Sequence, residues 1–490
     1  MSIPIVHKKL QWEVIRDPIY NYIPYNKEIE GTIIDTPYVQ RLRRIRQLQV
    51  AYMVYPGADH TRFQHSLGVM YLSGIFAEHL ISYIETYFGK GFLKGYDKSL
   101  LIEAVRVAGL LHDLGHGPYS HAFEEEILMK DPELKKKNLD NHEKVGLSLI
   151  KNSDLSKLIE KTGKSIGFDN LLEVVLELLS EYNPSAPSIL KLLQMTIKNW
   201  IYPADIMDFL MRDSYYTGTK EYGTIDYYRL ILYSYPYPYR DVIIIDEKAL
   251  FTLRNFLQSR YYMFETVYLH PVCRSFDRLV QKIMGLVSEH LELPQRVLEI
   301  TEGKPERFLE LDDFSILYMV NRLPETDSNI RKAKEYLNDL LHRRIRWKPI
   351  GPGYSIVLPA RSATFFFKYG EIEGAVKDLE RILKEILSDK RLGDIAEEIW
   401  IDHSLKRTLP ALPYPLQTIK TGKKTVEGIE ISGEISLTEL LEEAGLSPRI
   451  TFVIYAPASI VRNKTKLKRI REAANQAYAY VFSSLRDITM

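Results

Sequence analysis

The stretch HDLGHGPYSHAFE, residues 112–124, places His112, Asp113, His116, His121 and Glu124 close together in a chain with only 12 histidines among 490 residues. Imidazole and carboxylate together suit Fe, Mn, Zn, Ni or Co, whereas an all-oxygen cage suits Mg or Ca. His112 and His116 are one turn apart, so both rings can open toward one cavity where a helix ends. One His–Asp pair cannot complete a coordination sphere, and the chain offers two further donors. His65, in HTRFQHSLGV, stands at the start of a helical pattern; Asp205, in YPADIMDFLMRDSYYTG, falls in the first turn of another after Pro203. Singly, each has an ordinary use: an HD dipeptide arises by chance, Asp205 can cap its helix, and His60 reads as an exposed loop histidine. Seven of the 12 histidines, however, lie between His60 and His142. A lone histidine is expensive to bury charged, while several around a cation are not. The co-occurrence points to a metal site with its own acid–base groups.

Those residues need helices to hold them. Apolar positions recur at helical spacing from Ser66 to about Tyr87 and from Ser99 to Leu111, and the run AVRVAGLL reads as a buried helix. Gly115, Gly117 and Pro118 must end it, and Ser120 is placed to cap the next. Further helical patterns cover about 141–152, 170–182, 187–200, 203–216 and 247–284. WEVI and GTIID read as short strands, TPYVQRLRRIRQL as a basic helical segment, and YSYPYPYRDVIIID as a Pro-punctuated turn entering one strand. Past a soft boundary at 285–310 the texture alternates. RWKPIGPGYSIVLPA holds β-like runs, EGAVKDLERILKEIL is an amphipathic helix, RITFVIYAP a strand, and NKTKLKRIREAANQAYAYVFSSL a final basic helix.

With 65 basic and 64 acidic residues, net +1, no global field marks a nucleic-acid binder. The basic stretches LHRRIRW and RNKTKLKRIREAA read as solvated faces or subunit contacts. Cys273 is the only cysteine, which excludes a disulfide framework, a Cys-based zinc ribbon and iron–sulfur ligation. No uninterrupted run of about 18 apolar residues occurs, and the expectation is a soluble cytoplasmic protein without a membrane partner.

HTRFQHSLGV, LLHDLGHGPYSHAF, NHEKVG and ADIMDFLMRDSYYTG, in that order, resemble the HD-domain phosphohydrolases, and more narrowly their deoxynucleoside triphosphate triphosphohydrolase branch. The likeness runs from about residue 12 to 279 and continues more weakly through RRIRWKPIG and beyond. It implies a mostly α fold: an HD-domain helical core with an N-terminal β/helical segment over 1–290, and a smaller mixed α/β C-terminal lobe over 291–490 that joins subunits. A sterile-alpha-motif region, found in some members, is not expected. The implied metal ligands are His65, His112, Asp113 and Asp205, with a divalent transition metal and Mg as its companion. His116, His121 and His142 would line the phosphate path, with His121 as general acid oriented by Glu124, where the family more often has Asp. A histidine that donates a proton near neutral pH needs such a carboxylate neighbour.

For substrate, the resemblance matches Arg62 and Arg260 to phosphate-binding arginines, and Gln47 and Asp213 to residues on the sugar 3′-hydroxyl. Leu48 and Tyr268 match the pair that crowds the 2′ position, and Phe209 stands where a tyrosine contacts sugar and phosphate. Ile206 replaces a phosphate-gripping lysine, and Leu269 replaces a glutamine near the base. Asp35, Arg43 and Lys248 match an activator-nucleotide site between subunits. Glu13, Asp246, Thr252 and Pro271 replace Lys, Arg, Asn and Lys there, so an altered or absent response is expected. The implied partners are deoxynucleoside triphosphates, a nucleotide activator, and further copies of the chain in a dimer or tetramer. Two other readings stay open: nucleoside monophosphate or cyclic-nucleotide hydrolysis, and a non-catalytic nucleotide- or nucleic-acid-binding protein.

Overall fold

Two apolar helices, α1 (Arg62–Tyr87) and α2 (Lys98–Leu111), pack against each other at the centre of a mostly helical protein. The computed structural model describes residues 11–351, 353–357, 370–389, 392–403, 418–446 and 449–486. One apolar window of α1 is long enough to cross a membrane, yet 72% of it is buried inside the protein; it is a core helix. Helix α2 starts at Asp97, whose carboxylate accepts from Ser99 N and Leu100 N. It delivers its buried C-terminal end to His112. Around this pair lie α3 (His142–Lys151), α4 (Leu171–Leu179), α5 (Ser188–Ile197) and α6 (Ala204–Thr217). Helix α4 packs on α2, and α5 and α6 pack on α1. The expected run over 247–284 is two helices, α7 (Leu250–Met263) and α8 (Pro271–Val287), separated where Pro271 removes a helical donor.

Residues 12–26 form an antiparallel hairpin, β1 (Trp12–Asp17) and β2 (Asn21–Asn26). GTIID, expected as a strand, is helical instead over Thr32–Ile34 and most of its approach. The Asn26 side chain caps that turn, accepting from Ile29 N and Glu30 N. Glu30 is meanwhile fully buried against Arg106 of α2, a tertiary anchor that overrides the β-branched propensity. YSYPYPYRDVIIID, expected to hold one strand, holds two: β3 (Ser234–Tyr237) and β4 (Val242–Asp246) pair antiparallel. Pro236 is tolerated because β3 is the sheet's edge. Ser120 precedes a short helical turn, but its hydroxyl does not cap it.

The large core continues through α9 (Asp313–Arg322) and α10 (Ser328–Leu341), the latter packed on α8. A second core gathers α11 (Gly370–Asp389), the central strand Arg449–Pro457 and α12 (Lys464–Arg486). That strand pairs antiparallel with Trp347–Pro349, Tyr354–Val357 and Trp400–His403. The end of RWKPIGPGYSIVLPA lies outside the described residues. The C-terminal part also reaches back: the hairpin Thr418–Thr425/Gly428–Ser436 extends the β3–β4 sheet through a parallel pairing with β4. In LHRRIRW, Arg346 pairs with Glu335 and Asp339 at 2.6 and 2.9 Å.

Arg106 and Glu30 are both fully buried, and Asn26 links them to Glu103. Removing one partner leaves an unpaired buried charge, so Arg106→Ala should cost about 3–5 kcal/mol in denaturant unfolding. A loss under about 1 kcal/mol would mean the pair is not holding the hairpin to α2.

Candidate metal centre

Three separate segments bring four donors together: His65 from the first turn of α1, His112 and Asp113 from the end of α2, and Asp205 from the first turn of α6. His65 Nε2 stands 3.1 Å from Asp205 Oδ1 and 3.7 Å from Asp113 Oδ2. His112 Nε2 stands 3.3 Å from Asp113 Oδ1 and 3.8 Å from Asp205 Oδ1. Donors about 2.0–2.2 Å from one ion lie roughly 2.8–3.6 Å apart in tetrahedral or octahedral spheres. The donors of His65, His112 and Asp113 lie within 4.8 Å of one another, close enough to share one divalent cation, with Asp205 Oδ1 within 4 Å of both imidazole nitrogens. His112 Nε2 is also buried with no hydrogen-bond partner among the described residues, as expected of a ligand atom. A cavity of about 50 Å³ opens onto His112, Asp113 and Asp205, with His142 and Lys198 also in its lining.

Both imidazoles are locked from behind. His112 Nδ1 lies 2.8 Å from Gly109 O, so it carries the proton and leaves Nε2 as the ligand atom. His65 Nδ1 lies 2.8 Å from Asp208 Oδ2. Asp208, fully buried, accepts from Arg212 at 2.9 Å and from the Tyr20 hydroxyl at 2.8 Å. Arg212 reaches on to Asp17 at 2.8 Å, tying the N-terminal hairpin to the centre. Gly68 makes room for this: a Cβ there would sit 1.8 Å from Asp208 Oδ1. Burial works against charge on His65, but hydrogen bonds with Asp205 and Asp208 outweigh it and lift the ring to about 10. Burial likewise opposes ionisation of Asp113, yet Arg62, His112 and His116 hold its carboxyl well below the usual range.

A second cluster adjoins the first. His116 stacks on His142 at 3.8 Å and meets His121 edge-on at 5.1 Å. Glu124 Oε2 is shared by His142 Nδ1 at 2.8 Å and His121 Nδ1 at 3.1 Å. This stacking requires Gly115, where a Cβ would stand 2.0 Å from His142 O. Burial lowers His142, but Glu124 more than compensates and raises it above the usual imidazole value. Partial burial wins at His121, which is lowered despite Glu124. The carboxylate expected to sustain His121 thus sustains His142 chiefly. Burial beside Arg62 and His142 pushes His116 well down. The donors of His116, His121, Glu124 and His142 also lie within 4.8 Å of one another. There, however, Glu124 already holds two Nδ1 protons, which suits proton handling better than ligation.

Residues 62–197 match the model of the HD domain, and residues 225–348 that of the HD-associated region. The chain belongs to the HD-domain family. As an HD-domain protein it is a metal-dependent phosphohydrolase. An uncharacterized Bacillus subtilis protein, YwfO, is 28% identical over 85% of this chain and 95% of its own length. The human deoxynucleoside triphosphate triphosphohydrolase SAMHD1 is 27% identical over 77% of this chain, which spans 59% of that enzyme's length. The crystal structure of a hypothetical protein from Aquifex aeolicus has the same fold, with a TM-score of 0.62 at 24% identity, covering 94% of this chain and 100% of that one.

The other residues singled out in the HD domain and its flanks divide into two groups. One stripe of α6, Asp205–Phe209–Asp213, runs at i, i+4, i+8 and rises about 12 Å from the metal end. Tyr268 meets Phe209 edge-on at 6.2 Å and donates to Asp213 Oδ2 at 2.6 Å. Arg260 is buried with its cation over Phe264 and is pushed down to about 10 by burial, with Asp205 partly offsetting. Gln47 donates its backbone N–H to His60 O, and Leu48 packs against the core beside Cys273. Arg62 is only partly available to a ligand: its Nη1 is 2.5 Å from Asp113 and its Nε 2.7 Å from Ser120 Oγ. The second group lies elsewhere. Asp35 and Arg43 are exposed, with Arg43 over the Phe63 ring at 3.6 Å, and Lys248 is exposed after β4. Among the described residues no hydrogen bond or ion pair joins Lys248 to Asp35 or Arg43.

Four important groups escape a reading by motif. His60, expected in an exposed loop, is 2% exposed and bonded to Asp213. Asp208 is signalled only by its i+3 spacing from Asp205. Arg41 donates to Leu311 O and to His116 O, both 2.9 Å away, strapping the loop after Asp113. Asp313 accepts from Tyr119 N at 2.7 Å and Arg46 N at 3.0 Å. It thereby holds Tyr119 and Ser120 at φ 55° and 53°, a region that L residues seldom adopt. Asp208→Asn should weaken metal retention roughly 10- to 100-fold in a chelator competition, as for other partners of metal-bound histidines. Unchanged retention would remove Asp208 from the centre.

Proposed function

We propose that this protein hydrolyses deoxynucleoside triphosphates to deoxynucleoside and inorganic triphosphate. The observation that carries the reading is the convergence of His65, His112, Asp113 and Asp205 at cation spacing, with a proton-handling cluster on one side and the α6 stripe on the other. A divalent ion bound there supplies Lewis acidity toward a phosphoryl oxygen and acidifies water. Arg260 and the free part of the Arg62 fork face the phosphates. Asp213 accepts from the sugar 3′-hydroxyl, whose oxygen in turn accepts from the Gln47 side-chain amide, while Tyr268 and Leu48 crowd the 2′ position, leaving an added hydroxyl unpaired. His116, His121, Glu124 and His142 line the path of the leaving group. His121, the more open of the pair on Glu124, delivers the proton, and His142, held above its ordinary value, replenishes it. The relationship to a deoxynucleoside triphosphate triphosphohydrolase supports this substrate class.

The test is a screen of deoxynucleoside and ribonucleoside triphosphates, singly and in pairs, with Mn or Mg and chromatographic products. Inorganic triphosphate is the expected product. Phosphate or pyrophosphate would favour a different phosphoester reaction, and no turnover with any divalent metal would favour a binding protein. Asp205→Ala should lose both metal and turnover, whereas His121→Ala should keep the metal and lose turnover by roughly 100-fold or more. Equal metal loss in the two would misplace His121. The sign of the pH dependence follows from Glu124, which raises His142. A protonated His142 is present below its folded pKa and lost above it, so the rate falls on the alkaline side. Glu124→Gln removes the lift and should move that limb to lower pH; an unmoved limb would exclude the pair as proton source.

A further inference from the structure

Among the described residues, His60 is the one fully buried histidine that the proposed chemistry leaves unused, and its surroundings are specific. Its side chain is wholly enclosed, with Nε2 2.7 Å from Asp213 Oδ1. Its ring lies flat on Tyr216, centroids 4.6 Å apart and planes 13° from parallel. Its backbone carbonyl accepts from Gln47 N at 3.1 Å. Nδ1 of His60 and Oε1 of Gln47 are buried without hydrogen-bond partners among the described residues. Buried polar atoms are normally satisfied, so two orphans on His60 and its backbone partner Gln47 mark a place where a ligand completes the bonding.

We infer that His60 is a positioning residue that turns Asp213 into a fixed, acceptor-only group, making the far end of the α6 stripe selective for a substrate hydroxyl. A carboxylate has about four lone-pair sites. His60 fills one on Oδ1 and Tyr268 one on Oδ2, which pins the plane of the carboxylate between two donors. The stack on Tyr216 keeps the imidazole from turning away. What remains on Asp213 can only accept, so the next group along the stripe must donate. A nucleotide sugar with its 3′-hydroxyl does so; one lacking it leaves a remaining lone pair of the buried carboxylate unsatisfied, a penalty that selects against it. Asp213 begins two helical turns, about 12 Å, from Asp205, which sets the sugar end of a nucleotide apart from its phosphates. The inference rests on the deoxynucleotide reading above.

The experiment measures kcat and KM for a deoxynucleoside triphosphate and its 2′,3′-dideoxy counterpart, using the metal-loaded full chain as wild type, His60→Leu and His60→Gln. The quantity read is the preference for the 3′-hydroxyl within each protein, from which any loss of folded fraction cancels. The wild type should prefer the hydroxyl. His60→Leu should cut that preference roughly tenfold, the scale of one hydrogen bond to a charged group, through a higher KM for the hydroxyl substrate alone. His60→Gln, which restores an N–H near the Nε2 position, should recover most of it. An undiminished preference in His60→Leu overturns the inference while leaving the function intact. A wild type with equal rates on both substrates overturns it too, by removing Asp213 from hydroxyl recognition. A wild type that releases triphosphate from neither substrate instead overturns the function on which it rests.

Discussion

Asp113 and Asp205 each bring a carboxylate oxygen within 4 Å of both His65 Nε2 and His112 Nε2 at the junction of three helices, and the rest of the core is arranged to make that meeting possible. Asp113 and Asp205 repel each other as ionised groups, and burial sharpens the repulsion. Arg62 and the two histidines offset part of it, and a divalent cation offsets it fully. Each helix contributes a terminus rather than a middle, because only there can adjacent residues such as His112 and Asp113 turn toward one point. The long apolar faces of α1 and α2 therefore have a second role beyond burial. They fix where those termini lie to within the tolerance of a coordination sphere.

Around that point, rigidity comes from groups that never touch a ligand. Asp208, Arg212, Asp17 and Tyr20 form a buried charged network behind His65, and the absence of a side chain at Gly68 lets it approach. Gly115 does the same for the stacked His116 and His142. Arg41 and Asp313 clamp the loop between His112 and His121 from opposite ends, and Asp313 starts α9 in the HD-associated region. Two consecutive non-glycine residues with positive φ store strain in that loop. The clamp is what keeps the strain from relaxing and His121 from drifting off Glu124. The HD-associated region is thus part of the scaffold of the candidate site, linked to it by hydrogen bonds to backbone atoms.

The clustering of His112, Asp113 and Asp205 was legible because each sits in a compact motif with its own periodic context: an HD pair where a buried helix must stop, and an acid one residue after a Pro–Ala helix start. The fold class followed from helical periodicity, which is strongest in buried segments such as AVRVAGLL. GTIID and YSYPYPY depart from their expected forms because the buried Glu30–Arg106 pair and an edge position for Pro236 are tertiary facts with no local trace. His60 was illegible for a related reason. Its meaning lies in Asp213 and Tyr216, about 150 residues downstream, and nothing in HTRF announces a bond at that separation. Arg41 and Asp313 bond to backbone groups, which any residue type supplies, so their partners carry no sequence signature at all.

The central claim is that one cation is held by His65, His112, Asp113 and Asp205, and the most direct measurement is an anomalous difference map from crystals of the Mn-loaded protein. A single dominant peak about 2.0–2.2 Å from both Nε2 atoms and from one oxygen of each carboxylate is the predicted result. A dominant peak among His116, His121, Glu124 and His142, with His65 and His112 unligated, would contradict it.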